Sequence, residues 1–263
     1  MFIQSLQNPR VKAAQRLRQR RGREQQQRIL IDGVRENRLA LTSGVEFVEL
    51  YYCPQHLQAE ADALLSQAAA AGVALLETSP AVFERLAFGD RIEGVVGVAA
   101  TPDRSLQQAT LGDCPLLAII EGVEKPGNLG AMIRTADAAG VDAVVLVDCR
   151  TDLFNPNLIR ASLGALFVMP VFTAEVNEAR QWLASHEIPV YAALVDGSIP
   201  YYTADFRGPT ALVLGSEAEG LTAAWRRDCT PVRLPMHGRV DSLNVSATAA
   251  VLLYEAVRQR AIG

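Results

Sequence analysis

Four runs in the second half of the chain, LLAIIE (116–121), AVVLVD (143–148), PVYAAL (189–194) and TALVLG (210–215), are apolar at almost every position. They are too short to span a membrane and too continuous for strands with one wet face. Segments with helical spacing lie between them, over 129–139 closed by Gly140, over 157–163 and over 175–185. Such a chain folds as a parallel sheet with helices on both faces, because only a strand covered on both sides stays apolar throughout. FVMPVF (167–172) and PVRL (231–234) read as further strands, and a long apolar helix closes the chain. Ligands of such sheets sit beyond the carboxyl ends of the strands. That singles out the loops after LLAIIE, TALVLG and PVRL.

The first hundred residues alternate with weaker signals. A basic helix over 10–28, broken at QRRGREQQQR, precedes a short strand (29–31) and a helix (34–41) ended by Ser43-Gly44. FVELYYC (47–53) reads as a strand and the Ala-rich stretch 59–71 as a helix closed by Gly72. VALLE, PAVFERLAF and GVVGVAA then read as strand, helix and strand. The expectation is a small α/β domain over 1–100, a linker over 101–114 bracketed by Pro102 and Pro115, and a second α/β domain over 115–263.

No apolar run approaches the roughly 18 residues of a membrane span, and MFIQSLQNPRVKAAQ lacks a signal-peptide core, so the expected location is the cytoplasm. Cys53, Cys114, Cys149 and Cys229 are far apart and only three histidines exist, which predicts neither a disulfide framework nor a metal site. Charge is more telling. The chain is formally −4, yet residues 1–30 carry Arg10, Lys12, Arg16, Arg18, Arg20, Arg21, Arg23 and Arg28 against Glu24 alone, leaving −11 for the rest. Lys12 and Lys125 are the only lysines, and Arg is the residue that grips phosphate bidentately and stacks on bases. The basic arm therefore reads as a nucleic-acid contact or, more blandly, as a solvated helix.

In VEKPGNLGAMIRTA, Pro126-Gly127 reads as a turn, Asn128 as a helix cap, and Arg134 as a residue well inside the following helix. The glycine spacing is not that of a dinucleotide fold, and no Lys-Ser/Thr follows to make a phosphate loop. GSEAEGL puts Glu217 and Glu219 in a glycine-flanked turn, suited to acid–base work, to a cation or simply to solvent; it is not an esterase elbow. LPMHGRVDSLNVS leads from an apolar segment through a polar loop, with His237 in it, into the last helix, crowding Ser242, Asn244 and Ser246 at a helix N-terminus.

Taken together, PGNLGAMIRTADAAG, NLIRASLGALFVMPV, GSEAEGL and LPM followed by SLNVSATAAVLLYEAVRQR resemble the SPOUT-class RNA ribose 2′-O-methyltransferases of the SpoU/TrmH type. The first hundred residues look like the L30e-like substrate-binding domain that precedes the catalytic domain in many ribosomal-RNA members. The resemblance implies a mostly parallel α/β domain with a C-terminal trefoil knot, and a homodimer with composite active sites. It also implies S-adenosylmethionine held around Leu214, Gly215, Leu234, Met236 and Leu243. Asn128, Arg134, Glu217, Ser242 and Asn244 carry over as the functional polar residues, with Arg134 read mainly as a phosphate clamp rather than a base. The implied substrate is a ribose 2′-hydroxyl in structured RNA, preferably 23S ribosomal RNA. The alternatives are a tRNA substrate, or a non-catalytic ribosome-assembly factor on the same scaffold.

Overall fold

The structure, a computed structural model, describes residues 1–88, 92–195 and 199–262. It divides into two compact units, one of residues 1–102 with 152–168, the other of 103–151 with 169–263. In chain order the first hundred residues form β1 (Phe2–Ile3), α1 (Pro9–Arg16), α2 (Arg20–Gln26), β2 (Arg28–Asp32), α3 (Val34–Thr42), β3 (Phe47–Tyr52), α4 (Ala61–Ala70), β4 (Ala74–Thr78), α5 (Pro80–Leu86) and β5 (Val95–Ala100). The remainder forms β6 (Leu116–Glu121), α6 (Pro126–Ala138), β7 (Ala143–Val147), α7 (Pro156–Ala161), α8 (Ala165–Val168), β8 (Val171–Ala174), α9 (Val176–Ser185), β9 (Val190–Ala193), β10 (Ile199–Pro200), β11 (Thr210–Leu214), β12 (Thr230–Arg233) and α10 (Val245–Ile262). Among the described residues no helix is long and apolar enough to cross a membrane.

The first unit has a five-stranded sheet in the order β1-β4-β3-β5-β2, in which β5 runs antiparallel to both neighbours. The basic stretch is not one helix. Gly22 lies so close to the Arg16 carbonyl, 2.0 Å from where a Cβ would stand, that only glycine lets α2 fold back on α1. Val11, Ala14 and Leu17 of this stretch are buried with Leu30, Tyr51 and Phe83. The segment 152–168, which the sequence reading gave to the second domain, packs in the first unit, where Arg160 pairs with Asp32 at 3.1 Å and Asp152 with Arg23 at 2.5 Å.

The second unit is a seven-stranded sheet, β10-β12-β9-β11-β6-β7-β8, parallel throughout. Its central strands β6, β7 and β11 are buried at every position, which is why they lack polar alternation. Leu106, in the stretch read as linker, is buried in this core with Leu117, Val145 and Phe172. FVMPVF is a strand only from Val171, because Pro170 interrupts it and Phe167 is buried as part of α8 instead.

Candidate active site

Three loops at the carboxyl ends of β6, β11 and β12 converge. The first leads into α6, which starts at Pro126, three residues earlier than periodicity suggested, because proline's fixed φ suits the first helical position. Asn128 is therefore not the helix cap. It stands inside the first turn, where Lys125 is the cap residue and makes no side-chain capping bond. The amide of Asn128 is thus free to reach across and donate to Glu217 Oε1 at 3.1 Å.

Glu217 belongs to the loop after β11. That loop closes on itself through a Ser216–Gly220 bridge and the Gly220 N–H to Ser216 carbonyl bond at 3.0 Å. Gly215 makes this closure possible, since a Cβ there would stand 2.3 Å from the Gly220 carbonyl carbon. Besides Asn128, Glu217 accepts from Lys125 Nζ at 3.2 Å and from Asn244 Nδ2 at 2.5 Å. Lys125 lowers the Glu217 carboxyl below its ordinary value, chiefly by that hydrogen bond, with help from the Val245 backbone N–H and from Asn128. Asn244 is also the cap of α10: its Oδ1 accepts from the Ser246 N–H at 3.0 Å and the Ser246 hydroxyl at 2.6 Å, which fixes which way its amide points.

This hub borders a cavity of about 730 Å³. Leu214, Gly215, Leu234, Met236 and Leu243, the five positions expected to meet a cofactor, all line it, as do Glu217 and Ser242. Val240 and Leu243, 63% and 40% exposed, add apolar surface to its lining. Arg134, like Asn128 and Asn244, is not among the residues lining the cavity. It is exposed on α6. Glu219 is exposed, with its backbone N–H on Ser216 Oγ, and His237 is exposed. Among the described residues no group of three or more His, Cys, Asp or Glu side chains is placed to hold a metal ion.

Two residues escaped the sequence reading. Lys125 neutralises Glu217, and its rarity in an arginine-rich chain was the available signal. Glu121, the one charge in LLAIIE, is 3% exposed and accepts three hydrogen bonds from the segment after the Glu217 loop.

The basic stretch is divided by burial. Arg10, Lys12, Arg16, Arg20 and Arg21 are exposed. Arg23, only 5% exposed, spends its guanidinium on Asp152 and the Leu17 carbonyl. Arg18 bonds the Ala87 carbonyl and lies over the Phe88 ring, and burial lowers its pKa. These two arginines hold the unit together and are not open to solvent as the others are.

Comparison with known proteins puts the fold and this loop cluster in the class of RNA ribose methyltransferases. A solved RNA 2′-O ribose methyltransferase is 41% identical, covering 99% of this chain and 100% of its own, with a TM-score of 0.86. An S-adenosylmethionine-bound rRNA methyltransferase from Sinorhizobium meliloti is 30% identical, covering 98% and 97%, with a TM-score of 0.89. Within that class the chain belongs to the SpoU rRNA methylase family, which residues 115–254 match; residues 8–97 match the MRM3-like substrate binding domain. The 23S rRNA (guanosine-2′-O-)-methyltransferase RlmB of Ralstonia nicotianae is 37% identical over 221 residues, 81% of this chain and 88% of that protein.

Proposed function

We propose that the protein transfers a methyl group from S-adenosylmethionine to a ribose 2′-hydroxyl of 23S ribosomal RNA, in the cytoplasm. The observation that carries this reading is the Asn128–Glu217–Asn244 hub at the edge of the cavity. The cavity fits the cofactor: its volume is in the usual range for a small-molecule site, and apolar Leu234, Met236 and Leu243 alternate with backbone polar groups of tight loops. When bound, S-adenosylmethionine supplies an electrophilic methyl on a sulfonium.

The chain's own residues then have distinct tasks. Glu217, saturated by Lys125, Asn128 and Asn244, is an anchor that locks three loops together rather than a proton acceptor. Ser242, on the cavity wall, orients the ribose. Arg134 anchors an RNA phosphate and stabilises the developing alkoxide, a role suited to a guanidinium that stays charged. Positioning the hydroxyl in line with the methyl supplies much of the acceleration.

Arg134 is exposed on α6, and family membership supports a homodimer in which each site takes Arg134 from the partner. Family membership supports a knotted path for the C-terminal part of this unit. Residues 1–100 serve as the RNA substrate-binding domain, with Arg10, Lys12, Arg16, Arg20 and Arg21 as its phosphate contacts, and 115–263 as the catalytic domain. Incubating 23S rRNA and tRNA with the protein and S-adenosylmethionine and mapping 2′-O-methyl positions tests the reading. A new methyl on 23S rRNA alone is expected; methylation of tRNA alone, or of neither, overturns it.

A further inference from the structure

We infer that Glu121 is a positioning residue that sets the loop bearing Glu217 and one wall of the cofactor cavity. The inference deepens the proposed function and rests on it for the identity of the ligand. Glu121 ends β6 on the face it shares with Leu117 and Ile119, whose core also contains Leu221 and Trp225. A carboxylate in such surroundings is costly unless it is fully hydrogen-bonded. Here Oε2 accepts the Thr222 N–H at 2.8 Å, while Oε1 accepts the Thr222 hydroxyl at 2.8 Å and the Trp225 indole N–H at 3.0 Å.

The consequence lies upstream of those donors. The closed loop Gly215–Leu221 has one end on β11 and the other on Thr222, and Thr222 is the residue Glu121 holds through two groups. Leu221 and Trp225, 7% and 1% exposed, pack on either side of the tether in sequence. Leu214, Gly215, Ser216, Glu217 and Gly220 line the cavity, so the position of Thr222 fixes that wall and the reach of Glu217 to Asn128 and Asn244. The hydrogen bonds of Glu121 go to Thr222 and Trp225 rather than to the hub, so it acts through the loop.

Glu121→Gln keeps the shape and one acceptor but loses the charge, and Thr222→Val removes the hydroxyl donor while leaving the carboxylate. Amide hydrogen exchange of the protein without ligand is read first. In Glu121→Gln the amides of residues 216–222 exchange about tenfold faster, the loss of roughly one charge-assisted hydrogen bond, while those of β7 and α10 keep their rates. Calorimetry with S-adenosylmethionine then reads an affinity about tenfold weaker in Glu121→Gln, with Thr222→Val in between and RNA affinity unchanged. Unaltered exchange at 216–222, or a uniform rise across the whole second unit, overturns the inference. So does normal cofactor affinity in a variant with a loosened loop. If the wild-type protein binds no S-adenosylmethionine, the proposed function falls, while the exchange experiment still decides whether Glu121 sets the loop.

Discussion

Asn244 donates its side-chain amide to Glu217 Oε1 at 2.5 Å while its own Oδ1 caps α10 through the Ser246 N–H at 3.0 Å. One side chain thus ties the start of the last helix to the loop after β11. Asn128 adds α6 to the same oxygen. Replacing Glu217 by Gln removes the charge that Lys125 and both Asn amides share, and leaves at least one donor facing another donor. Methyl transfer is expected to fall about tenfold to a hundredfold, the range for a lost set of charge-assisted bonds. The pH dependence follows in sign. Lys125 depresses the Glu217 pKa, so its contribution is complete above the ordinary value of about 4.3 and is lost as pH falls through the lower folded value. The ratio of wild-type to Glu217→Gln rates should therefore be flat between pH 6 and pH 9; a slope there would contradict the anchoring role.

Arg134 is exposed on α6 and is not among the residues lining the cavity. Arg134→Ala should lower methyl transfer by about a hundredfold or more, the cost of losing a donor that meets developing charge, with S-adenosylmethionine affinity unchanged. The composite site has a sharper test. In a mixed dimer of one Arg134→Ala chain and one Asn244→Ala chain, one of two sites regains both residues if Arg134 acts across the interface. Activity about half of wild type is expected. If Arg134 serves its own chain, both sites are defective and the mixed dimer stays inactive.

Gly215 is a requirement of loop closure rather than of the ligand. A Cβ at this position would stand 2.3 Å from the carbonyl carbon and oxygen of Gly220 and 2.5 Å from the Leu221 nitrogen, backbone atoms that cannot swing away. Gly215→Ala should weaken S-adenosylmethionine binding about tenfold or more, in line with the 1–3 kcal/mol typical of overpacking. Gly112→Ala, where nothing lies within 4 Å, is the control and should leave affinity unchanged. Equal affinities in the two variants would separate the loop from the cofactor site.

How much of this was legible in the sequence differs by residue. The strands β6, β7 and β11 were, because burial on both faces leaves an unbroken apolar signature. β1 and the antiparallel setting of β5 were not, since both depend on pairing with strands distant in the chain. Pro126 read as a turn yet begins α6, because proline suits both places and only the downstream contacts decide. The hub residues were found through resemblance; their partners were not, because Lys125 and Glu217 lie 92 positions apart. Glu121 was visible as a charge in an apolar strand, but its meaning required the two residues that donate to it, 101 and 104 positions on.

The basic stretch carries the last prediction, because Arg21 and Arg23 look alike in sequence and differ entirely in place. Arg23 is buried against Asp152 at 2.5 Å, a partner 129 positions away, whereas Arg16 and Arg21 face solvent and the Arg20–Glu24 pair is a surface one. Arg23→Ala leaves Asp152 without its cation, 81% of whose side chain is covered, and should destabilise the first unit by about 3–5 kcal/mol. Arg16→Ala, Arg20→Ala and Arg21→Ala should leave the melting temperature within the small range of surface changes. Their effect is expected instead on RNA affinity, with the slope of log affinity against log salt falling by about one for each phosphate contact removed. Melting curves and salt-dependent binding measured on the same four variants separate the two roles. A stability loss in the exposed three, or an unchanged salt slope, would remove this face from the RNA interface.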